Sequence, residues 1–191
     1  MDFSKLIAAL GVSGGVLHPQ GHVQEGGQRG YPMTVDYGKM TESWGDNGPK
    51  AAKWTSKDKE NSNKYGLNLY DKSKEDEIAI QGAGFKAQDD IARAITDKES
   101  KEAMYLANAI LKGAQVAGLS KKLVKTSPEH PQNSDIDEMK KISGNKYVRP
   151  MMGFSAIMDL VKSQRPEQTW DVSAGVMPNS TAVGLTFNKR F

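Results

Sequence analysis

The chain has no cysteine, which excludes disulfides and thiolate metal sites and leaves no redox compartment to be read. It also lacks a long hydrophobic run. The longest, residues 6–17, spans roughly 12 residues, short of the roughly 18 that a membrane-spanning helix requires. Lys5 gives that run a thin basic start, but no A-x-A-like site follows and His18-Pro19 closes it, so no secretory signal is expected. A nucleophile motif, a phosphate-cradling glycine loop, a dinucleotide fingerprint and a carboxylate pair of constrained spacing are missing too. Together these absences favour a structural or interaction protein over an enzyme.

What is present suits water. Charged residues make up 26% of 191 positions, and the length fits one domain with or without an arm. A net charge of +3 is mild, and Lys50, Lys53, Lys57, Lys59 and Lys64 are interleaved with Asp58 and Glu60, the pattern of a solvated surface rather than a nucleic-acid footprint. Lys121, Lys122 and Lys125 form a small basic cluster able to touch phosphate.

The last stretch, 168–191, carries the clearest pattern. Trp170, Val172, Ala174 and Val176 alternate with Asp171, Ser173 and Gly175. After a Pro-Asn-Ser-Thr turn, Val183, Leu185, Phe187 and Phe191 share a face opposed by Ala182, Gly184, Thr186, Asn188 and Arg190. This predicts a β-hairpin with one apolar face, and each run approaches the roughly 9–11 residues a tilted strand needs to cross a bilayer. Over about its last ten residues the chain resembles the closing strand of Gram-negative outer-membrane β-barrel proteins, which end on a terminal Phe. Lys189 departs from that pattern on the apolar face. An amphipathic hairpin laid over the helices of a soluble domain has the same alternation.

Taken in order, 2–17 predicts a short helix capped by Asp2 or Ser4. Gly11 and Gly15, with Gly14 and Ala8 nearby, give it a small-residue face fit for an oligomer contact, a membrane-touching tip or packing into its own domain. His18-Pro19-Gln20-Gly21-His22 follows. Two imidazoles at i and i+4 of a helix face one metal, and the string is similar to the H-E-x-G-H form of membrane-associated zinc metallopeptidases. Pro19 stands where that motif has its catalytic Glu, and proline disfavours a continuous helix through the pair. Glu25, His130, Asp135 and Asp137 are the candidates for a third ligand. Glycine-rich 21–30 predicts a flexible connector. Alternation in 33–44, needing a bulge near Gly38, then in 50–56 and 64–70 around an Asp46-Asn47-Gly48-Pro49 turn, predicts a polar β-ribbon.

The middle is helical. Ser73 with Asp76 and Thr96 with Glu99 are capping-box patterns. They precede one stripe of Ile78, Gly82, Phe85, Ala92 and Ile95, and a second of Ala103, Leu106, Ala107, Ile110, Leu111, Ala114 and Ala117 that Gly118 ends, its polar face in water. Residues 119–133 read as a loop. Ser134 and Asp137 open a short helix closed by Gly144, and Pro150 suits the first turn of a last helix to Lys162. There Met151, Met152, Phe154, Ile157, Met158, Leu160 and Val161 leave only Ser155 and Asp159 polar, which predicts burial.

The expected architecture is an α+β fold: an N-terminal helix and arm over 1–30, a β-ribbon over 31–72, about four helices over 73–165 and a C-terminal hairpin over 166–191. Three functions fit it. The first is a non-enzymatic structural subunit of a homo-oligomer, with Gly11, Gly15, Trp170, Val172, Val176, Val183, Leu185, Phe187 and Phe191 at the membrane or partner contact. One hairpin cannot close on itself, and a barrel needs about eight or more strands, so several copies would share it. In size and in its Gly/Ala-rich, cysteine-free character the chain is similar to small internal virion proteins that tailed phages eject. That resemblance implies a virion location alongside other virion proteins, then a channel in the bacterial outer membrane with DNA touched only in the pore lumen. The second is a metal-dependent hydrolase or its inactive relative, using His18 and His22, with zinc as the alternative to no cofactor. The third is a soluble, cytoplasmic α+β binding domain needing no cofactor.

Overall fold

The fold is α+β, mostly helical, and opens with the short N-terminal helix that the sequence predicts, which here runs on into a second. In this computed structural model, which describes residues 2–31, 33–36, 41–44, 73–119, 135–167, 170–177 and 180–189, α1 (Phe3–Val12) begins where the Asp2 carboxylate accepts the Ser4 N–H at 2.9 Å. A π-helical turn, Ser13–Leu17, leads directly into α2 (His18–Gln28). Pro19 therefore does not break the helix, contrary to expectation. In regular α geometry its ring would meet the carbonyl of Gly15, and the wider π turn falls at that point.

The glycine-rich stretch is likewise helix up to Gln28, not a connector. Gly21 serves close packing, whereas Gly27 faces open space. A Cβ on Gly21 would collide with the carbonyl oxygen of Ala83 in the next helix of the chain, and one on Gly84 there would stand 2.6 Å from the His18 ring. Gly30, at φ 83°, turns the chain out of the helix, and the Tyr31 hydroxyl donates to Asp76 at 2.7 Å. Of the ribbon, β1 (Met33–Asp36) and β2 (Thr41–Trp44) pair antiparallel with Met33 opposite Trp44. The expected bulge at Gly38, the 46–49 turn and the strands at 50–56 and 64–70 lie outside the described residues, as do Lys121, Lys122, Lys125, His130 and Phe191.

Capping signals place the next helices. α3 (Lys74–Ala94) starts at Ser73, whose hydroxyl accepts the Asp76 N–H. α4 (Lys98–Val116) is capped by Asp97, which accepts the Ser100 N–H at 2.9 Å. That is one residue after the predicted Thr96, in line with the stronger capping preference of Asp. Gly118 and Gly144, at φ 71° and 65°, follow α4 and α5 (Asp135–Ser143), and Pro150 sits in the first turn of α6 (Val148–Gln164). None of the helices among the described residues is long and apolar enough to cross a membrane.

β3 (Trp170–Val176) and β4 (Val183–Lys189) form the predicted hairpin, with Val172 opposite Phe187, Ala174 opposite Leu185 and Val176 opposite Val183. Its turn end packs on the helices. Ile78, Phe85, Ile136, Met139, Val148, Met152, Ala174 and Val183 make one buried cluster that joins α3, α5, α6 and both strands. Each large side chain in it stabilises the fold by about 1.5–3 kcal/mol relative to exposure. Ala9, Ala103 and Ala107 form a second cluster between α1 and α4, where small side chains let the helices approach closely.

Two expectations about helix faces are reversed. α4 does not keep its polar face in water: Asn108 and Lys112 are fully buried while Ile110 is exposed. α6 buries Ser155, Asp159, Lys162 and Ser163 and leaves Phe154, Ile157 and Leu160 outside. The interior is polar here because the helices answer one another's polar groups.

Candidate metal centre and buried charge network

The helical run through Pro19 puts His18 and His22 one turn apart, with ring centroids separated by 4.8 Å. Glycine at position 84 lets α3 come up against the His18 ring, and Phe85 stands edge-on to it at 4.9 Å. His18 is thereby aimed at the first turn of α5, where its Nε2 lies 2.6 Å from Asp135 Oδ2. Gln115 of α4 donates to the same oxygen at 3.3 Å. One ligand-type atom from each of His18, His22 and Asp135 lies within 4.8 Å of the other two.

Burial opposes charge on Asp135, yet its carboxyl is held below the ordinary carboxylate range. Attraction to His18 and its hydrogen bond, then the His22 ring and Gln115, outweigh the desolvation. His18 Nδ1 is buried without a hydrogen-bond partner. Of the three candidate third ligands among the described residues, the fold brings Asp135 to the pair. Glu25 is bonded to Arg29 at 2.6 Å and Asp137 to Arg149. Nothing in the sequence distinguishes Asp135, because its approach depends on how α5 docks on α2 and α4.

A second constellation escaped the sequence reading altogether. Lys112 Nζ, inside the bundle, donates to Asp89 at 2.6 Å, Asp159 at 2.7 Å and Ser155 at 3.1 Å. Next to it Lys162 pairs with Asp171 and lies 5.1 Å over the Tyr105 ring. Arg93 reaches the same Asp171 at 2.5 Å. Asp171, expected on the small or polar face of the hairpin, is thus drawn in between α3 and α6. Above these groups a closed ring of hydrogen bonds joins three helical segments. Ser13 Oγ donates to Asn108, Asn108 to the Gln88 carbonyl, and Gln88 to the Ser13 carbonyl. The usable signal was a polar stripe at helical spacing: Asn108 and Lys112 on α4, and Ser155, Asp159 and Lys162 on α6.

The charges of this network are fixed by their partners. Burial would discharge Lys112, but Asp89 and Asp159 hold its ammonium above the ordinary lysine range, so it is no amine nucleophile at neutral pH. Burial lowers Lys162 to about 8, opposed by Asp159 and Asp89, and raises Asp159 to about 6 against the pull of Lys112. A cleft of about 380 Å³ between α3 and the hairpin touches the network at Asp89 and Arg93. Among its charged lining residues Arg29 pairs with Glu25, Asp89 with Lys112 and Arg93 with Asp171, while Lys86 pairs with Asp90 beside it.

The predicted contact residues fall into two groups. Gly11 is exposed with nothing within 4 Å of where a Cβ would stand, and Gly15 is half-buried beside Gly14, which faces Leu111. Val172 and Val183 are buried and Val176 and Leu185 pack against the core, whereas Trp170 and Phe187 remain 43% and 71% exposed. Comparison with protein-family profiles, with curated proteins and with solved structures finds no match to this chain.

Proposed function

We propose that the chain is a non-enzymatic structural subunit that assembles with further copies of itself through α1. The observation that carries this reading is the apolar outer face of that helix and of the π turn that follows it. Phe3, Ile7, Val12 and Val16 are exposed, with Ala8 and Gly11 open beside them, while the Ser13 hydroxyl is fully buried and bonded to Asn108. A helix apolar on its outer face needs a cover. The glycine notch at Gly11 lets a second backbone approach closely, and an uncharged stripe with such a notch is complementary to itself across a two-fold axis. α6 also leaves apolar side chains outside, Phe154, Ile157 and Leu160, while Ser155, Asp159 and Lys162 lie inside.

The finer reading is a phage virion or ejection protein whose hairpins join those of other copies into an outer-membrane channel. Supporting it, β3 and β4 pair only with each other among the described residues, and Trp170 and Phe187 stay exposed. Val172, Ala174 and Val183 lie against the chain's own helices, so a lipid-facing role requires the hairpin to leave that site.

Mass measurement of the purified chain in aqueous buffer and in mild detergent tests the assembly. The expected mass is a multiple of the 20.9 kDa protomer, and Ile7→Glu with Val12→Glu should return it to one protomer with the helical circular dichroism intact. A monomeric parent in both solvents overturns the proposal.

A further inference from the structure

We infer that His18, His22 and Asp135 bind one borderline divalent cation such as Zn²⁺, at a site separate from the assembly surface. The donor set is two imidazoles and a carboxylate, the mixture that zinc and its neighbours accept, while Mg²⁺ and Ca²⁺ call for oxygen alone. The three donors come from two elements far apart in sequence and converge within 4.8 Å, close enough for a shared ion with small side-chain adjustments. The 2.6 Å contact of His18 Nε2 with Asp135 Oδ2 keeps two donors side by side.

Three neighbouring residues pack around them. Gly84 and Phe85 pack against the His18 ring, and Gln115 donates to the carboxylate from a third helix. Three protein ligands leave a tetrahedral ion one open position.

The surroundings supply a binding site rather than a hydrolase. Pro19 occupies the place of a general base in the sequence, and the nearby carboxylates Glu25 and Asp137 are neutralised by Arg29 and Arg149. A cation held there ties α2 to α5 and with it the N-terminal rod to the bundle.

Titration of the chelator-treated full chain with Co²⁺, followed by Zn²⁺, tests the site. One Co²⁺ per chain should bind with visible ligand-field bands that Zn²⁺ abolishes, and Zn²⁺ should raise the thermal midpoint. Asp135→Asn and His22→Gln, chosen for their near-native shape, should each weaken binding by at least about 10–100-fold, the loss that even outer-shell changes cause, with helical circular dichroism as the control for folding. Proton NMR of the parent needs no variant: two of its three imidazoles should shift on Zn²⁺ addition. Absent ligand-field bands, unshifted imidazoles, or folded variants that bind as the parent does would overturn the site.

Discussion

The ammonium of Lys112, wholly inside the bundle, lies 2.7 Å from a carboxylate oxygen of Asp159. Asp89 approaches the same nitrogen at 2.6 Å from another helix, so α3, α4 and α6 meet on one cation. Burying charges costs more than their attraction returns unless every partner is present. The arrangement therefore fixes which helices face one another more than it adds net stability.

Lys112→Met should accordingly be among the most damaging single changes, costing about 3–5 kcal/mol, because it strands two buried carboxylates without a cation. The triple change Lys112→Met, Asp89→Leu, Asp159→Leu should recover most of that loss. Urea unfolding of the three proteins measures both. A loss below about 1 kcal/mol for Lys112→Met, the size of an exposed pair, would show that the network is wet.

Asp159 gives the network a pH signature. Burial raises its carboxyl to about 6, with Lys112 pulling the other way, whereas in the unfolded chain it titrates near 3.8. Between those values the folded chain keeps a proton that the unfolded chain has released, so this group makes stability fall as pH rises from about 4 to about 6. Asp159→Asn cannot titrate. The stability of the parent minus that of the variant should drop across this window and level off above it. A difference that stays flat from about pH 4 to 7 would mean that the carboxyl is not raised.

Much of the architecture was legible because caps and alternation are local signals. Asp2, Ser73, Gly118 and Gly144 mark helix ends through hydrogen bonds and φ angles set within a few residues, and the hairpin register follows from its two alternating runs. The failures share one cause. Pro19 and the glycines of 21–30 read as breakers from their own propensities, but a π turn accommodates the proline and a close crossing accommodates Gly21, and that crossing depends on α3 arriving alongside. The buried stripes of α4 and α6 misled for the same reason, since a Lys or Asp is placed inside only when its counterion comes from another helix. His18 and His22 were visible as a pair, while Asp135 needed the docked fold.

Glycines that look alike in sequence should part on substitution. Gly84→Ala puts a methyl 2.6 Å from His18 ring atoms and should destabilise by about 1–3 kcal/mol through overpacking. Gly27→Ala meets nothing within 4 Å inside the same helix that carries His18 and His22, and should stabilise by about 0.4–1 kcal/mol by restricting the unfolded chain. Thermal unfolding of both variants suffices. Equal effects would mean that α2 and α3 do not cross at this close approach.

The two ends of the hairpin should also separate. Val183 is 5% exposed and belongs to the core cluster, while Phe187, on the same face of β4, is 71% exposed. A carboxylate at position 183 is buried without a partner, so Val183→Asp should cost several kcal/mol and loosen the hairpin from α6. Phe187→Asp should change protomer stability by no more than about 0.5 kcal/mol, as surface changes do. Any effect of Phe187→Asp on liposome insertion therefore reports on the hairpin's outer end and not on folding. Should Phe187→Asp leave both insertion and assembly as in the parent, Phe187 has no part in either contact, and the shared-hairpin channel loses its exposed anchor.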